Sequence, residues 1–316
     1  MKTVRFHAYG DPSVLQLDDA DQPVPGAGQV LIKVAGTSFN PVDATLRAGF
    51  MQQLMPIELP HTPGIDVAGT IAALGDGVGG FTVGDAVIGF LPMTENGATA
   101  EYVLAAADIL AAAPTSVPLA DAAALPAGAL TAWQALHEHA RLQSGQRILI
   151  NGAGGGVGGY AIQFAKRIGA TVIATASPRS ADAVQAAGAD QIIDHTSTNV
   201  TDTVTEPVDV VLNLIRTDDA SMAALVALVA PGGVLVSTGS PAIADPDRKI
   251  QTISMYVRSD ATQLNEIARL VDAGRVGLGI GGRYPLADTA KVHELIATDC
   301  LRGKIIIFVT PTDSAR

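Results

Sequence analysis

Cysteine is nearly absent from this sequence: Cys300 is the only one in 316 residues. A single thiol closes no disulfide within the chain and builds no thiolate zinc cluster. Aromatic residues are scarce as well, at 4% with one Trp. Basic residues are outnumbered, 20 Lys and Arg against 31 Asp and Glu, for a formal charge of −11. That balance argues against nucleic acid or an anionic membrane surface as the main partner and helps keep the chain soluble. No apolar run reaches membrane-spanning length. The opening Met1-Lys2-Thr3-Val4-Arg5-Phe6 reads as a strand and lacks the apolar segment of a signal peptide. The expected setting is the cytoplasm.

What the chain does have is Ala, Gly and Val in quantity and the length for two domains. The first third reads as β-structure, with strand-like runs at 30–34, 86–90 and 101–104. The pairs Pro25-Gly26, Gly84-Asp85 and Asn96-Gly97 punctuate it. A compact barrel-like domain follows from that pattern. A helical segment is expected at roughly 119–142. Strands at 147–150, 171–176, 191–194, 208–213, 233–238 and 250–256 then alternate with helices near 157–168, 180–187 and 219–229. Such alternation, with fully apolar strands, predicts a doubly wound parallel sheet covered on both faces. A further helix runs from the N-cap Asp260 to a stop at Gly274, and a final strand at 304–309 could return to the first domain.

One stretch carries chemistry. Asn151-Gly152-Ala153-Gly154-Gly155-Gly156-Val157-Gly158-Gly159 lies between the apolar Ile148-Leu149-Ile150 and a helical pattern. A glycine turn there lets the backbone approach a pyrophosphate, and the helix N-terminus offers N–H groups and the positive end of a dipole. An NAD site usually has an acidic residue at the end of the second strand. Here that position is Ala176, followed by Ser177, Arg179 and Ser180. These can donate to a 2′-phosphate, which favours NADPH; the alternative for Arg179 is a solvated residue opening a helix.

Taken with the flanking segments, the chain resembles the zinc-independent quinone oxidoreductases of the medium-chain dehydrogenase/reductase superfamily. The landmarks are Asn40-Pro41-Val42-Asp43 with Arg47 and Gly49, Pro63-Gly64-Ile65-Asp66-Val67-Ala68-Gly69, Val83-Gly84-Asp85-Ala86-Val87 and Ala100-Glu101-Tyr102. Leu130-Thr131-Ala132-Trp133, the glycine turn, Gly188-Ala189-Asp190, Leu270-Val271-Asp272-Ala273-Gly274 and Arg302-Gly303-Lys304 complete the order. The resemblance implies an α/β fold with a GroES-like β-barrel substrate domain from residues 1–124 and 258–316 and a Rossmann domain from 125–257. It implies an active site in the cleft between them, and a homodimer. Asn40 and Thr131 would face nicotinamide and acceptor, Asn40 donating through its amide. The cofactor set would be Gly152, Ala153, Gly154, Gly155, Gly156, Val157, Gly158, Ser177, Arg179, His195 and Gly239.

Departures from the related zinc enzymes are informative. Those have a Cys where this chain has Asn40, and Gly-His-Glu where it has Gly64-Ile65-Asp66. Asn40 and Ile65 cannot supply a catalytic zinc set, His61 and Asp66 remain only conceivable ligands, and His137 and His139 stand two apart on a helix and diverge. No metal is expected. Gly49-Phe50-Met51 replaces a tyrosine near the substrate and suggests an apolar acceptor pocket, and Asp43 is expected to bond the loop backbone or Arg47. His195 either contacts the adenosine phosphate or belongs to a surface loop. Without a Lewis acid the acceptor must already be electrophilic, as a quinone or an α,β-unsaturated carbonyl is. The expected activity is NADPH-dependent reduction of such a molecule. A 2-enoyl-thioester reductase and a low-turnover NADPH-binding sensor are the alternatives.

Overall fold

The structure, a computed structural model, describes residues 1–297 and 302–309, so Cys300 lies outside them. It divides into two compact units, Met1–Ala127 with Ser259–Arg316, and Gly128–Arg258.

The first unit is built on β1 (Lys2–Phe6), β2 (Leu15–Asp19), β3 (Gln29–Ser38), β4 (Asp66–Leu74), β5 (Ala86–Phe90), β6 (Tyr102–Ala106) and β7 (Leu110–Ala112). β1 and β2 form a separate antiparallel pair. β3 is the spine of the larger sheet. It pairs with β4 along one side; on the other, its first half pairs with β6 and its last residues with a strand from the far end of the chain, Lys304–Phe308. The expected return of that strand is thus what completes β3. Val30, Ile32 and Val34 alternate inward with Val67, Ile71 and Val87. Each such side chain, fully buried, contributes about 1.5–3 kcal/mol. The ladder runs as an open path that begins at Ile280–Pro285 and ends at β7.

The second unit carries β8 (Arg147–Asn151), β9 (Thr171–Ala176), β10 (Gln191–Asp194), β11 (Val208–Asn213), β12 (Val229–Ser237) and β13 (Gln251–Ser254). All pairings are parallel, in the order β10-β9-β8-β11-β12-β13. Leu149, Ile173, Ile193, Val211 and Leu235 bury one face. The chain steps outward from β8 to β10, then returns to the other side of β8 as β11. That reversal opens a crevice at the carboxyl ends of β8 and β11. β14 (Ile280–Pro285) and β15 (Lys304–Phe308) belong to the first unit.

The helices are α1 (Pro41–Arg47), α2 (Pro126–Gln134), α3 (Gly156–Ile168), α4 (Ala181–Ala186), α5 (Val200–Thr203), α6 (Asp219–Ala227), α7 (Ala261–Asp272) and α8 (Thr289–Ala297). Asp260 caps α7 by accepting from Gln263 N, and Gly274 follows with φ +66°. The segment expected as one helix at 119–142 is instead three pieces: a 3₁₀ turn at Leu119–Ala124, α2, and a π-helical turn at Ala135–His139. Pro126 enforces the first break, since it lacks the N–H that a continuous helix needs there. No helix among the described residues is long and apolar enough to cross a membrane.

Candidate active site

The crevice of the second unit is floored by a polar ladder across four adjacent strands. Thr175 Oγ1 on β9 donates to Asn151 Oδ1 on β8 at 3.0 Å, Asn151 Nδ2 to Asn213 Oδ1 on β11 at 2.9 Å, and Asn213 Nδ2 to Ser237 Oγ on β12 at 3.2 Å. All four side chains are buried and satisfied, so the strand ends are locked in register. Thr175 Oγ1 also accepts from Gly152 N at 2.8 Å, which anchors the start of the glycine turn. Sequence reading missed this ladder: Thr, Asn and Ser at strand ends read as ordinary turn-makers, and only their recurrence at four strand ends hinted at it.

The glycines do different jobs. Gly152 has φ +86°, and a Cβ there would meet Ile215 Cγ2 at 2.5 Å. Gly158 packs so closely on Ala153 that a Cβ would lie 2.5 Å from its Cα. Gly154 lies against Ser180, whose Cβ would be 2.8 Å from an added carbon. Gly155 is different: its backbone is extended (φ −84°, ψ 176°), and an added Cβ would come no nearer than 3.6 Å to any protein atom. The fold itself does not require glycine at 155. Gly155 is the N-cap of α3 with no side-chain cap, so Gly156, Val157 and Gly158 present N–H groups that have no carbonyl inside the helix to bond. The turn therefore fits a pyrophosphate by clearance and by charge.

The other expected cofactor residues gather at the same end of the sheet. Ser177 and Ser180 bond one another, tying the loop after β9 to the glycine turn through the Ser180–Gly154 contact. Ala176 is buried and offers no carboxylate; Arg179 is exposed at the mouth of that loop. His195 donates its backbone N–H to Ala176 O at 3.2 Å and leaves its ring exposed. Gly239 lets the loop after β12 approach the loop after β11, since a Cβ would lie 2.5 Å from Ile215 O. Thr131 sits on α2, nearly buried.

Asn40 belongs to the first unit, where the end of β3 meets the starts of β4 and β15. Its Nδ2 donates to Asp66 Oδ2 at 2.8 Å and to Ser38 O at 3.2 Å, and its Oδ1 accepts from Lys304 Nζ at 2.9 Å. Both amide hydrogens thus have protein partners, and the amide lies between a carboxylate and an ammonium. Asp66 also accepts from Ser38 Oγ, from Lys304 Nζ at 3.1 Å and from Ala127 N at 2.6 Å, at the positive end of α2. Lys304 and Asp66 are both buried.

Asp43 accepts from Asn40 N at 2.8 Å and Gly64 N at 3.1 Å, so of its two expected partners it takes the loop backbone. Burial pushes its carboxyl up to about 7, against the pull of those two N–H groups. Arg47 instead donates to Gly10 O and to His293 Nδ1 at 3.0 Å. Burial, then the Arg47 charge, hold His293 down at about 3. His61 is buried beside Phe6 and pushed down to about 4 by burial. Phe50, expected in an apolar pocket, is 82% exposed. A cavity of about 720 Å³ lies elsewhere in this unit, walled by His61, Glu58, Asn96 and Tyr102 among others; Asn40, Asp66 and Lys304 do not line it.

Residues 26–115 match the alcohol dehydrogenase GroES-like domain, and residues 187–307 match the zinc-binding dehydrogenase family. The quinone oxidoreductase of Sus scrofa is 33% identical over 329 residues, spanning 98% of both proteins. The structure of the quinone oxidoreductase from Coxiella burnetii superposes with a TM-score of 0.90 at 30% identity, covering 98% of this chain and 99% of that one. The structure of mycobacterial Rv1454c complexed with NADPH gives 0.85 at 27% identity, covering 98% of this chain and 100% of that one. A GroES-like unit joined to a parallel Rossmann-like sheet is the architecture of the medium-chain dehydrogenase/reductases. Within them, the chain belongs to the quinone oxidoreductase family.

The zinc in the name of the matched family does not fit the residues present. Ile65 has no ligand atom, Asn40 Oδ1 already accepts from an ammonium, and the two oxygens of Asp66 accept from four donors. Among the described residues no three His, Cys, Asp or Glu side chains gather to hold a metal.

Proposed function

We propose that the chain is an oxidoreductase that uses NADPH to reduce a quinone or a reactive α,β-unsaturated carbonyl, without a metal. The observation that carries this reading is the clearance at Gly155: an added Cβ would come no nearer than 3.6 Å to a protein atom, in front of the N-terminus of α3, which has no side-chain cap. NADPH, when bound, supplies the hydride. The turn from Gly152 through Gly158 gives the pyrophosphate close approach to backbone N–H groups. Ser177 and Arg179 hold the 2′-phosphate, with His195 and Gly239 bordering the same region, and the Thr131 hydroxyl serves the ribose or carboxamide. The acceptor's own conjugation spreads the incoming charge, so these residues bind and orient rather than polarise a carbonyl. No side chain is assigned as proton donor, and the proton comes from water.

The same reading makes the protein a cytoplasmic homodimer whose first unit is a GroES-like barrel. Size measured by light scattering tests the dimer. The reaction itself is tested by following NADPH oxidation with a panel of quinones, enones and acyl-CoA thioesters, with and without a chelator. Quinones or enones should turn over, NADPH should outperform NADH, and chelation should change nothing. NADP-dependent alcohol oxidation lost to a chelator would overturn the proposal. Turnover confined to thioesters would make the protein an enoyl reductase, and tight NADPH binding with no turnover would make it a sensor.

A further inference from the structure

Lys304 stands out among the buried groups that the proposed reaction leaves without a task. It opens the strand Lys304-Ile305-Ile306-Ile307-Phe308, otherwise wholly apolar, and its side chain is only 4% exposed. Its ammonium donates to Asn40 Oδ1 at 2.9 Å and to Asp66 Oδ2 at 3.1 Å. A buried ammonium is retained only where its partners are well placed. Here they are the carbonyl end of one amide and the carboxylate that the other end of that amide also touches.

An amide held this way has one permitted orientation. Flipping Asn40 would turn its NH₂ toward an ammonium and its oxygen toward a carboxylate. The ammonium also withdraws electron density from Oδ1, which strengthens the N–H groups at the other end. Of the two Asn40 hydrogens, one is bound to Asp66 at 2.8 Å, while the other reaches Ser38 O over 3.2 Å. The second is the weaker bond, so it is the one the amide can exchange at least cost.

We propose that Lys304 is a positioning residue for the reduction: it fixes and polarises the Asn40 amide, and its effect on turnover passes through Asn40. This rests on the oxidoreductase reading given above and on Asn40 facing the acceptor, as the family resemblance implies. Ser38 and Asp66 complete the frame, and the charge of Lys304 is what distinguishes the two ends of the amide.

A double-mutant cycle in the full-length protein tests it. Lys304→Gln, which keeps a donor and removes the charge, should lower kcat for quinone at least tenfold while the Kd for NADPH stays within threefold. Lys304→Arg should recover most of the loss. In an Asn40→Ala background the same Lys304→Gln change should lower kcat less than twofold, because the residue it acts through is gone. Equal losses in both backgrounds, or no loss in either, would overturn the proposal. A second readout needs no turnover. The side-chain NH₂ resonances of Asn40, assigned by their absence in Asn40→Ala, should shift in Lys304→Gln and stay close to the parent in Lys304→Arg. Unmoved resonances in Lys304→Gln would overturn the proposal even if the parent protein reduced no quinone; a shift with an inactive parent would sink only the assigned reaction.

Discussion

The glycine turn and the Asn40 cluster are both polar sites at strand ends, and they are opposites. At the turn, N–H groups at the head of α3 lack intrahelical partners and a Cβ at Gly155 would come no nearer than 3.6 Å to a protein atom. In the cluster every polar atom has a partner: four donors converge on Asp66, and both ends of Asn40 are engaged. An arrangement that leaves donors over is prepared for a ligand. One that uses them all is committed to its own geometry. Changes at the turn should therefore act on affinity, and changes in the cluster on stability or on the alignment of a reacting group.

The largest test strikes the closed site. Asp66→Ala strands the Lys304 ammonium in the interior and should destabilise the protein by about 3–5 kcal/mol. Urea unfolding measures it, and NADPH affinity near the parent value at low denaturant would confirm that the two sites are energetically separate.

Gly155→Val applies the converse pressure. An added Cβ meets no protein atom closer than 3.6 Å, so the melting temperature should change little. NADPH binding should weaken at least about 100-fold, roughly 2.7 kcal/mol, because the added atoms occupy the ligand's space. Gly158→Val, which strikes the Ala153 backbone, should unfold the second unit instead. If both glycine variants behaved alike in a calorimeter, the distinction between clearance for ligand and clearance for packing would fail.

Arg179→Ala sharpens the reading within the open site. Losing a charge-assisted bond should weaken NADPH by about 1.5–3 kcal/mol and leave NADH nearly unchanged. Parallel titrations decide it, and equal losses for both cofactors would remove the 2′-phosphate assignment.

The remaining effect is a slope with pH. Asp43 has its folded carboxyl raised from 3.8 to about 7, so the folded state holds the proton more tightly than the unfolded chain. The stability it contributes is full below about 4 and is lost as pH rises to about 7. His61 and His293, lowered from 6.5 to about 4 and about 3, act in the reverse sense: their contribution is present above 6.5 and lost as pH falls. The difference between parent and Asp43→Asn isolates the carboxyl. The parent's melting temperature minus the variant's should fall as pH rises from 4 to about 7, and superimposable slopes would show that Asp43 contributes nothing to the pH dependence.

Much of the second unit was legible in the sequence. β9, β10 and β11 fall on the expected residues because each is a short apolar run between turn signals, a local property. The Asp260 cap and the Gly274 stop were legible for the same reason. β14 was not: Ile280-Gly281-Gly282-Arg283-Tyr284-Pro285 has neither an apolar run nor alternation, and it is a strand only because β15 pairs with it. α8 was missed too, although five of its nine residues are apolar. The Lys304–Asp66 pair joins positions 238 apart, and no pattern in either neighbourhood announces the other. The available signal was a lysine heading an apolar strand, which demands a buried counter-charge somewhere.

The return of β15 to β3 also bears on how the molecule comes into being at the ribosome. The second unit is one uninterrupted stretch of chain, Gly128–Arg258, and can complete its core as soon as it emerges. The first unit cannot. Its spine strand is made early and waits for β15, and Asn40 waits for a partner 264 residues downstream. Throughout that interval the last residues of β3 lack their partner on that side and the Asp66 carboxylate has no ammonium, so the earlier-synthesised unit is the later one to mature. Nascent chains arrested after residue 258 should accordingly protect the second unit from protease while leaving the first open to cleavage.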